Sequence, residues 1–301
     1  MTVASESATL ESALRQARLP GVRHFRRTLG LVVPGGILAL FVFTGIFAPL
    51  LALQDPREVV LVERLQPPVW QSRGSWSHPL GTDQLGRDIL SRTVYGARVS
   101  LLVVAVTVPL SAAFGSLVGI LAGWRLGLFD KLMMRVVDVQ LAMPAILFAV
   151  LLAAIFGPSL RNVILIIVVW TWSAYARVVR AEVLSLRERE FVLAARSYGA
   201  GTLWLLARHI LPNVLNPILI VASLEVASVI LIEASLSFLG VGVSLGTPSW
   251  GSMVSEGRHL LTTAWWLVGV PAAAIVLVSL SGNLFGDWVR DALDPRLRHV
   301  R

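Results

Sequence analysis

The stretch 182-EVLSLREREFVLAARSYGAGTLWLLARHILPN-213 decides how the whole chain is read. It carries Arg187, Arg189, Arg196 and Arg208 beside Glu182, Glu188 and Glu190, a charge density that hydrocarbon does not tolerate, so it faces water or a partner protein. Long apolar runs flank it on both sides, which makes the surrounding chain a membrane scaffold. Its pattern predicts two short helices with a joint between them. Glu190 opens the run FVLAARSY, Gly199 and Gly201 permit backbone angles that other residues resist, and a second run over 203–211 ends at Pro212. Ala194 and Ala195 leave room for another surface to come close, while Phe191, Leu193, Tyr198 and Trp204 supply apolar reach. Two readings stand at this point: a knob that docks into something, or a solvated loop carrying the positive charge of a cytoplasmic face.

Composition sets the class. Of 301 residues, 55% are hydrophobic and 15% charged, and the mean hydropathy is +0.74, which excludes an ordinary soluble domain and places the chain in a lipid bilayer. With no cysteine, disulfides, thiolate metal sites and cysteine nucleophiles are excluded. The 26 basic residues include one lysine, Lys131, set between Asp130 and Leu132. A Walker phosphate loop needs Gly-Lys-Ser/Thr, so this chain has no P-loop of its own. A pI near 11.2 does not call for nucleic acid, because clustered arginine in a membrane chain marks the cytoplasmic side. The five histidines fall in tails and loops and form no Ser/His or HExxH arrangement, so neither a catalytic residue nor a metal site is expected.

Outward from the polar stretch, six apolar runs read as spans of an all-α polytopic membrane protein: about 29–52, 99–122, 136–156, 162–177, 214–239 and 264–285. Residues 1–28 read as a cytoplasmic tail, 53–98 as a long outer connection, 178–213 as a cytoplasmic loop and 290–301 as a second cytoplasmic tail, with the transmembrane domain covering 29–289. The first run exceeds the ~7–15-residue core of a signal peptide and is taken as a span. Within the outer connection, Ile89, Leu90, Thr93, Val94 and Ala97 recur at helical spacing and predict a short amphipathic helix on the membrane surface. Asp83 and Asp88 suit ligation of a metal or substrate or, by preference, helix capping and pairing with Arg87 or Arg92.

Gly115, Gly119, Gly123 and Gly127 fall at intervals of four, leaving one helix face bare for a neighbour in this chain or in a partner subunit. Pro144 predicts a kink in the third span. The fourth, bracketed by Arg161 and Arg177, is the shortest and requires arginines that snorkel to the interface. In the fifth, Glu225 and Glu233 are carboxylates at membrane depth and candidates for lining a substrate path. Six spans with both termini inside put 18 of the 26 basic residues on the cytoplasmic side, the bias expected of that orientation.

Glu190, Ala194, Ala195, Gly199, Leu211 and Pro212 resemble the "EAA" signature of binding-protein-dependent ABC importer permeases, E-x-x-x-A-A-x-x-x-G followed by Leu-Pro. The variant here is similar to the branch that imports dipeptides, oligopeptides and nickel. Three more segments agree in order: 78-HPLGTDQLGRDILSRTVYGARVSL-101, then 232-IEASLSFLGVGV-243 with Pro-Ser-Trp-Gly at 248–251, then 283-NLFGDWVRDALDPRLR-298. The resemblance implies the permease subunit of an ATP-driven importer in a bacterial or archaeal cytoplasmic membrane. It also implies a second homologous permease, two ATPase subunits and an extracytoplasmic solute-binding protein as partners. ATP and Mg would be bound by the ATPases, leaving no cofactor in this chain. By the same resemblance the polar stretch is the coupling element that seats in a groove of the ATPase. Glu190 then starts the coupling helix, Ala194 and Ala195 allow close seating, and Gly199 sets the bend. The alternative is an ion-coupled carrier or channel in which Glu225 and Glu233 relay protons. Such a protein would have no use for the docking knob.

Overall fold

The computed structural model describes residues 20–244 and 246–293, with side chains from Leu31 onward, so most of the expected 1–28 tail and the end of the 290–301 tail lie outside the described residues. Among these residues the chain is helical, and its sole β pairing is an isolated bridge between Thr82 and Asp88. The helices of eight residues or more are α1 (Pro20–Ile46), α2 (Ile89–Arg125), α3 (Gly127–Ala142), α4 (Ala145–Phe156), α5 (Leu160–Arg187), α6 (Glu190–Ser197), α7 (Thr202–Phe238), α8 (Trp250–Gly257) and α9 (Trp266–Leu293). Four of them, α2, α5, α7 and α9, are long and apolar enough to cross a membrane, and α3 with α4 would make a fifth, broken crossing. The apolar part of α1, Leu31–Ile46, is shorter.

Helix α2 is the axis of the bundle. Its N-terminus is fixed by Asp88, whose carboxylate accepts the Ser91 backbone N–H at 2.7 Å. At 37 residues it extends about 55 Å, well past the ~30 Å hydrocarbon layer. The separate surface helix expected over 89–97 is therefore not found: these residues are the first turns of α2. Ile89 and Ala97 are buried among Trp250, Met253 and Trp266, because the outer connection and α8 fold over this end. The Trp250 indole N–H donates to the Thr93 carbonyl at 2.8 Å, and that of Trp266 to the Thr82 carbonyl at 3.2 Å. Asp83 pairs with Arg87 at 2.6 Å and with Arg92, and both arginines reach Glu256 of α8, at 2.6 and 2.9 Å. His78, fully buried, stands between Asp88 at 3.1 Å and Glu63 at 3.0 Å. The acidic residues of this segment thus serve capping and pairing.

The glycine stripe faces α5. A Cβ at Gly115 would strike the Trp172 carbonyl, one at Gly119 would lie 2.7 Å from the Ala176 carbonyl oxygen, and one at Gly123 would lie 2.9 Å from Val183 Cβ. Close approach along three turns makes α2 and α5 the most extensive helix pair. Gly127 does not share this role. Helix α2 ends at Arg125, and Gly127, at φ +74° with open space around it, starts α3 in a new direction.

Two further expectations change. The apolar run expected as a kinked third span is not one helix: α3 and α4 meet at 97°, with Met143 extended and Pro144 preceding α4. Proline pushes the residue before it out of the helical region, and here nothing bridges the gap. The helix that holds the fourth apolar run does not stop near Arg177: α5 continues to Arg187, so the first part of the expected 178–213 loop is helical. Arg180 pairs with Asp130 of α3 at 2.8 Å and Arg177 pairs with Asp138, so the charges that looked like a boundary are met by acids on the neighbouring helix.

Candidate coupling surface

Helix α5 breaks at Glu188 and the chain turns through an extended Arg189 into α6. Glu190 lies in the first turn of α6, where a carboxylate complements the exposed N–H groups and the positive helix end. Of the eight residues of α6, only Val192 is buried. It inserts among Val179, Val183 and Leu186 of α5 and Ile210 and Val214 of α7. Phe191 and Leu193 remain exposed, Ala194 is exposed and Ala195 half-buried, and Tyr198 is 94% exposed. The knob thus has one buried peg, Val192, and leaves most of its other apolar surface accessible.

Gly199 terminates α6 at φ +83°, donating its N–H to the Arg196 carbonyl at 3.0 Å while Ala200 donates to the Ala195 carbonyl at 3.1 Å. No atom crowds the position, so glycine is required there by backbone conformation, not by space. Beyond Gly201 the chain enters α7. The expected stop at Pro212 is not observed: α7 continues through it, because Leu206–Ile210 forms a π-helical turn in which the Leu211 N–H reaches back to the Leu206 carbonyl. A widened turn next to a proline accommodates the missing donor without ending the helix. Leu211 and Pro212 are exposed on the first half of α7. The second half of the knob is therefore rigidly continuous with a membrane helix.

His209 was not singled out by its sequence position. Its ring lies 4.9 Å from Trp204, edge to face, and 5.7 Å from Phe191, so it joins α7 to α6 across the Gly199 turn. Aromatic residues flanking a Gly-x-Gly turn were the available signal, but the pairing spans 18 positions and depends on the turn geometry.

The two membrane carboxylates occupy different surroundings. Glu233 is fully buried and accepts the hydroxyl hydrogens of Ser100 at 3.0 Å and Ser237 at 2.9 Å, tying α7 to α2. Glu225 is half-buried, and its Oε2 has no partner among the described residues. Eight residues apart on one helix, the two lie about 12 Å from each other along its axis and do not form one site. A separate apolar cavity of about 760 Å³, lined by Phe114, Val139, Met143, Phe148 and Trp172, opens where α3 and α4 diverge from α2 and α5, with Arg135 at its wall.

The fold is that of a helical membrane protein with a short, exposed helix pegged to the ends of its long apolar helices. The chain belongs to the family described as the inner membrane component of binding-protein-dependent transport systems, whose pattern matches residues 115–299. It is 44% identical over 268 residues to the di/tripeptide transport system permease protein DppC of Pseudomonas aeruginosa, covering 88% of each chain. It is 42% identical over 275 residues to the dipeptide transport system permease protein DppC of Escherichia coli K12, covering 91% of this chain and 92% of that one. A putative peptide transport system permease protein of Brucella abortus is 42% identical over 281 residues, with 92% and 90% covered. These relatives place the chain in the dipeptide/oligopeptide branch of ABC importer permeases and do not favour the carrier reading. Its work is translocation rather than catalysis.

Proposed function

We propose that this chain is one of two permease subunits of an ATP-driven importer of short peptides in a bacterial cytoplasmic membrane, and that α6 with the first turns of α7 is the surface on which an ATPase subunit drives it. The peptide assignment rests on the names of relatives that match about nine-tenths of the chain. The coupling assignment rests on one observation above the others: α6 buries a single side chain and offers its other apolar residues to the exterior.

In this reading the packing contacts of α6, α5, α7 and α2 serve as the transmission path. ATP binding closes the partner ATPases around the knob; the Val192 peg carries the displacement to α5 and α7, and the glycine contact passes it from α5 to α2. Because α7 is continuous through Pro212, a push on residues 202–212 tilts a spanning helix directly. The spans then exchange inward-open and outward-open arrangements, and a solute delivered by an extracytoplasmic binding protein passes between the two permeases.

The same reading keeps six spans with both termini cytoplasmic, the broken α3–α4 pair serving as the third and α1 as the first. Positions 1–28 and 290–301 serve as tails, and ATP and Mg stay on the ATPases, with no cofactor in this chain. Glu225, with an unpartnered oxygen, is retained as a substrate-path residue. Glu233, held by two serines, is a weaker candidate for contact with solute. Uptake of a radiolabelled dipeptide by cells carrying the transporter tests the assignment. Uptake should require this chain and cease when the ATPase is inactivated; uptake that survives ATPase loss would overturn it.

A further inference from the structure

Behind the knob lies a cavity of about 250 Å³ whose lining is predominantly polar. Arg125 at the end of α2, Arg187 at the end of α5 and Arg196 of α6 converge on it, together with Thr202 of α7, and no acidic residue lines it. Arg187 is anchored in place: one guanidinium N–H reaches the Gly123 carbonyl at 3.4 Å, and Nε donates to Glu188 at 2.9 Å. Among the described residues, neither Arg125 nor Arg196 forms an ion pair. A positive-inside bias explains why arginines gather at this end of the bundle, but it does not explain why three from different helices face one space in which only Arg187 has an acidic partner.

Like charges that line one cavity repel one another unless an anion joins them, and planar guanidinium groups match phosphate oxygens in geometry. We propose that this cavity binds a phosphate group, either that of an anionic glycerophospholipid headgroup or a free phosphate. Trp124, beside Arg125, also lines it. Tryptophan next to arginine at the end of a spanning helix marks headgroup depth, where basic pockets between helices take lipid phosphates. A bound phosphate bridges the knob to α2 and α5 and stiffens the seat of α6. The site thereby makes coupling sensitive to membrane composition.

Native mass spectrometry of the full-length chain released from detergent, with phosphatidylglycerol or phosphatidylcholine added, tests the proposal. It is combined with thermal unfolding in inorganic phosphate against chloride at equal ionic strength. The wild type should retain phosphatidylglycerol in preference to phosphatidylcholine, and the Arg125→Gln/Arg196→Gln pair should weaken that retention roughly 30-fold. The Arg125→Lys/Arg196→Lys pair should keep most of it, which separates loss of charge from loss of fold. Stabilisation by inorganic phosphate without a lipid preference, again lost in the glutamine pair, would assign the site to a free phosphate. Equal behaviour of wild type and glutamine pair toward both probes, or equal loss in the lysine and glutamine pairs, would overturn the proposal.

Discussion

At Gly199 one backbone angle carries the bend between α6 and α7. A side chain at φ +83° costs about 1–2 kcal/mol, and more when it is β-branched, although nothing nearby would clash with it. Gly199→Val should therefore insert into the membrane normally while transport falls and ATP hydrolysis by the complex continues; transport at the wild-type rate would remove Gly199 from the coupling path. Glu233 tests a different physical cause. Removing its carboxylate leaves the Ser100 and Ser237 hydroxyls without their buried partner, a penalty of about 1–3 kcal/mol. Glu233→Ala should lower the unfolding temperature in detergent, whereas Glu233→Gln, whose amide oxygen accepts one hydroxyl hydrogen and whose amide N–H donates to the other serine oxygen, should unfold close to wild type. A glutamine variant as unstable as the alanine one would show that charge, not hydrogen bonding, matters there. Gly199 was visible in the sequence because a backbone turn is a local property, and Glu233 because a carboxylate inside an apolar run stands out, although its Ser100 partner lies 133 positions away. His209 was not, because its ring meets Phe191 only after the turn has formed.

Helix boundaries show which signals mislead in a membrane bundle. Arg177 looked like the end of a span, yet α5 passes it and Arg180 beyond it, since Asp138 and Asp130 lie about 40 and 50 positions away in sequence and directly alongside in space. Pro212 looked like a stop, and a π turn absorbed it. Pro144 looked like a kink and is a break of 97°. Periodicity fared better: the four-residue glycine spacing pointed to a bare helix face, and three of its four members meet α5, but the spacing alone could not show that α2 ends before Gly127. This difference predicts opposite sensitivities along one apparent stripe. Gly119→Val forces side-chain atoms onto the α5 backbone, an overpacking cost of about 1–3 kcal/mol, while Gly127→Ala meets no neighbour and pays only its backbone strain. Thermal unfolding should rank Gly119→Val well below Gly127→Ala. The reverse order would mean that α2 and α5 are not packed as described.

For the molecule as a whole, the outer connection with its paired Asp83, Arg87, Arg92 and Glu256 caps one end of the bundle, and the α6 knob occupies the other end of α5 and α7. Topology reporters inserted within 60–75 and within 185–188 should therefore report opposite sides of the membrane, and finding both on one side would reverse the orientation of α5. The central claim is that the knob receives an ATPase. Because the chain has no cysteine, Tyr198→Cys, at a position 94% exposed, gives this chain a single thiol. With a thiol cross-linker of short reach, that cysteine should join this chain to a subunit bearing a Walker motif, with a yield that changes on adding ATP. Trp76→Cys, 80% exposed in the outer connection, should not form this product. A Tyr198→Cys protein that reacts only with reagents supplied from outside the cell, or that never captures an ATPase under turnover, would contradict the account.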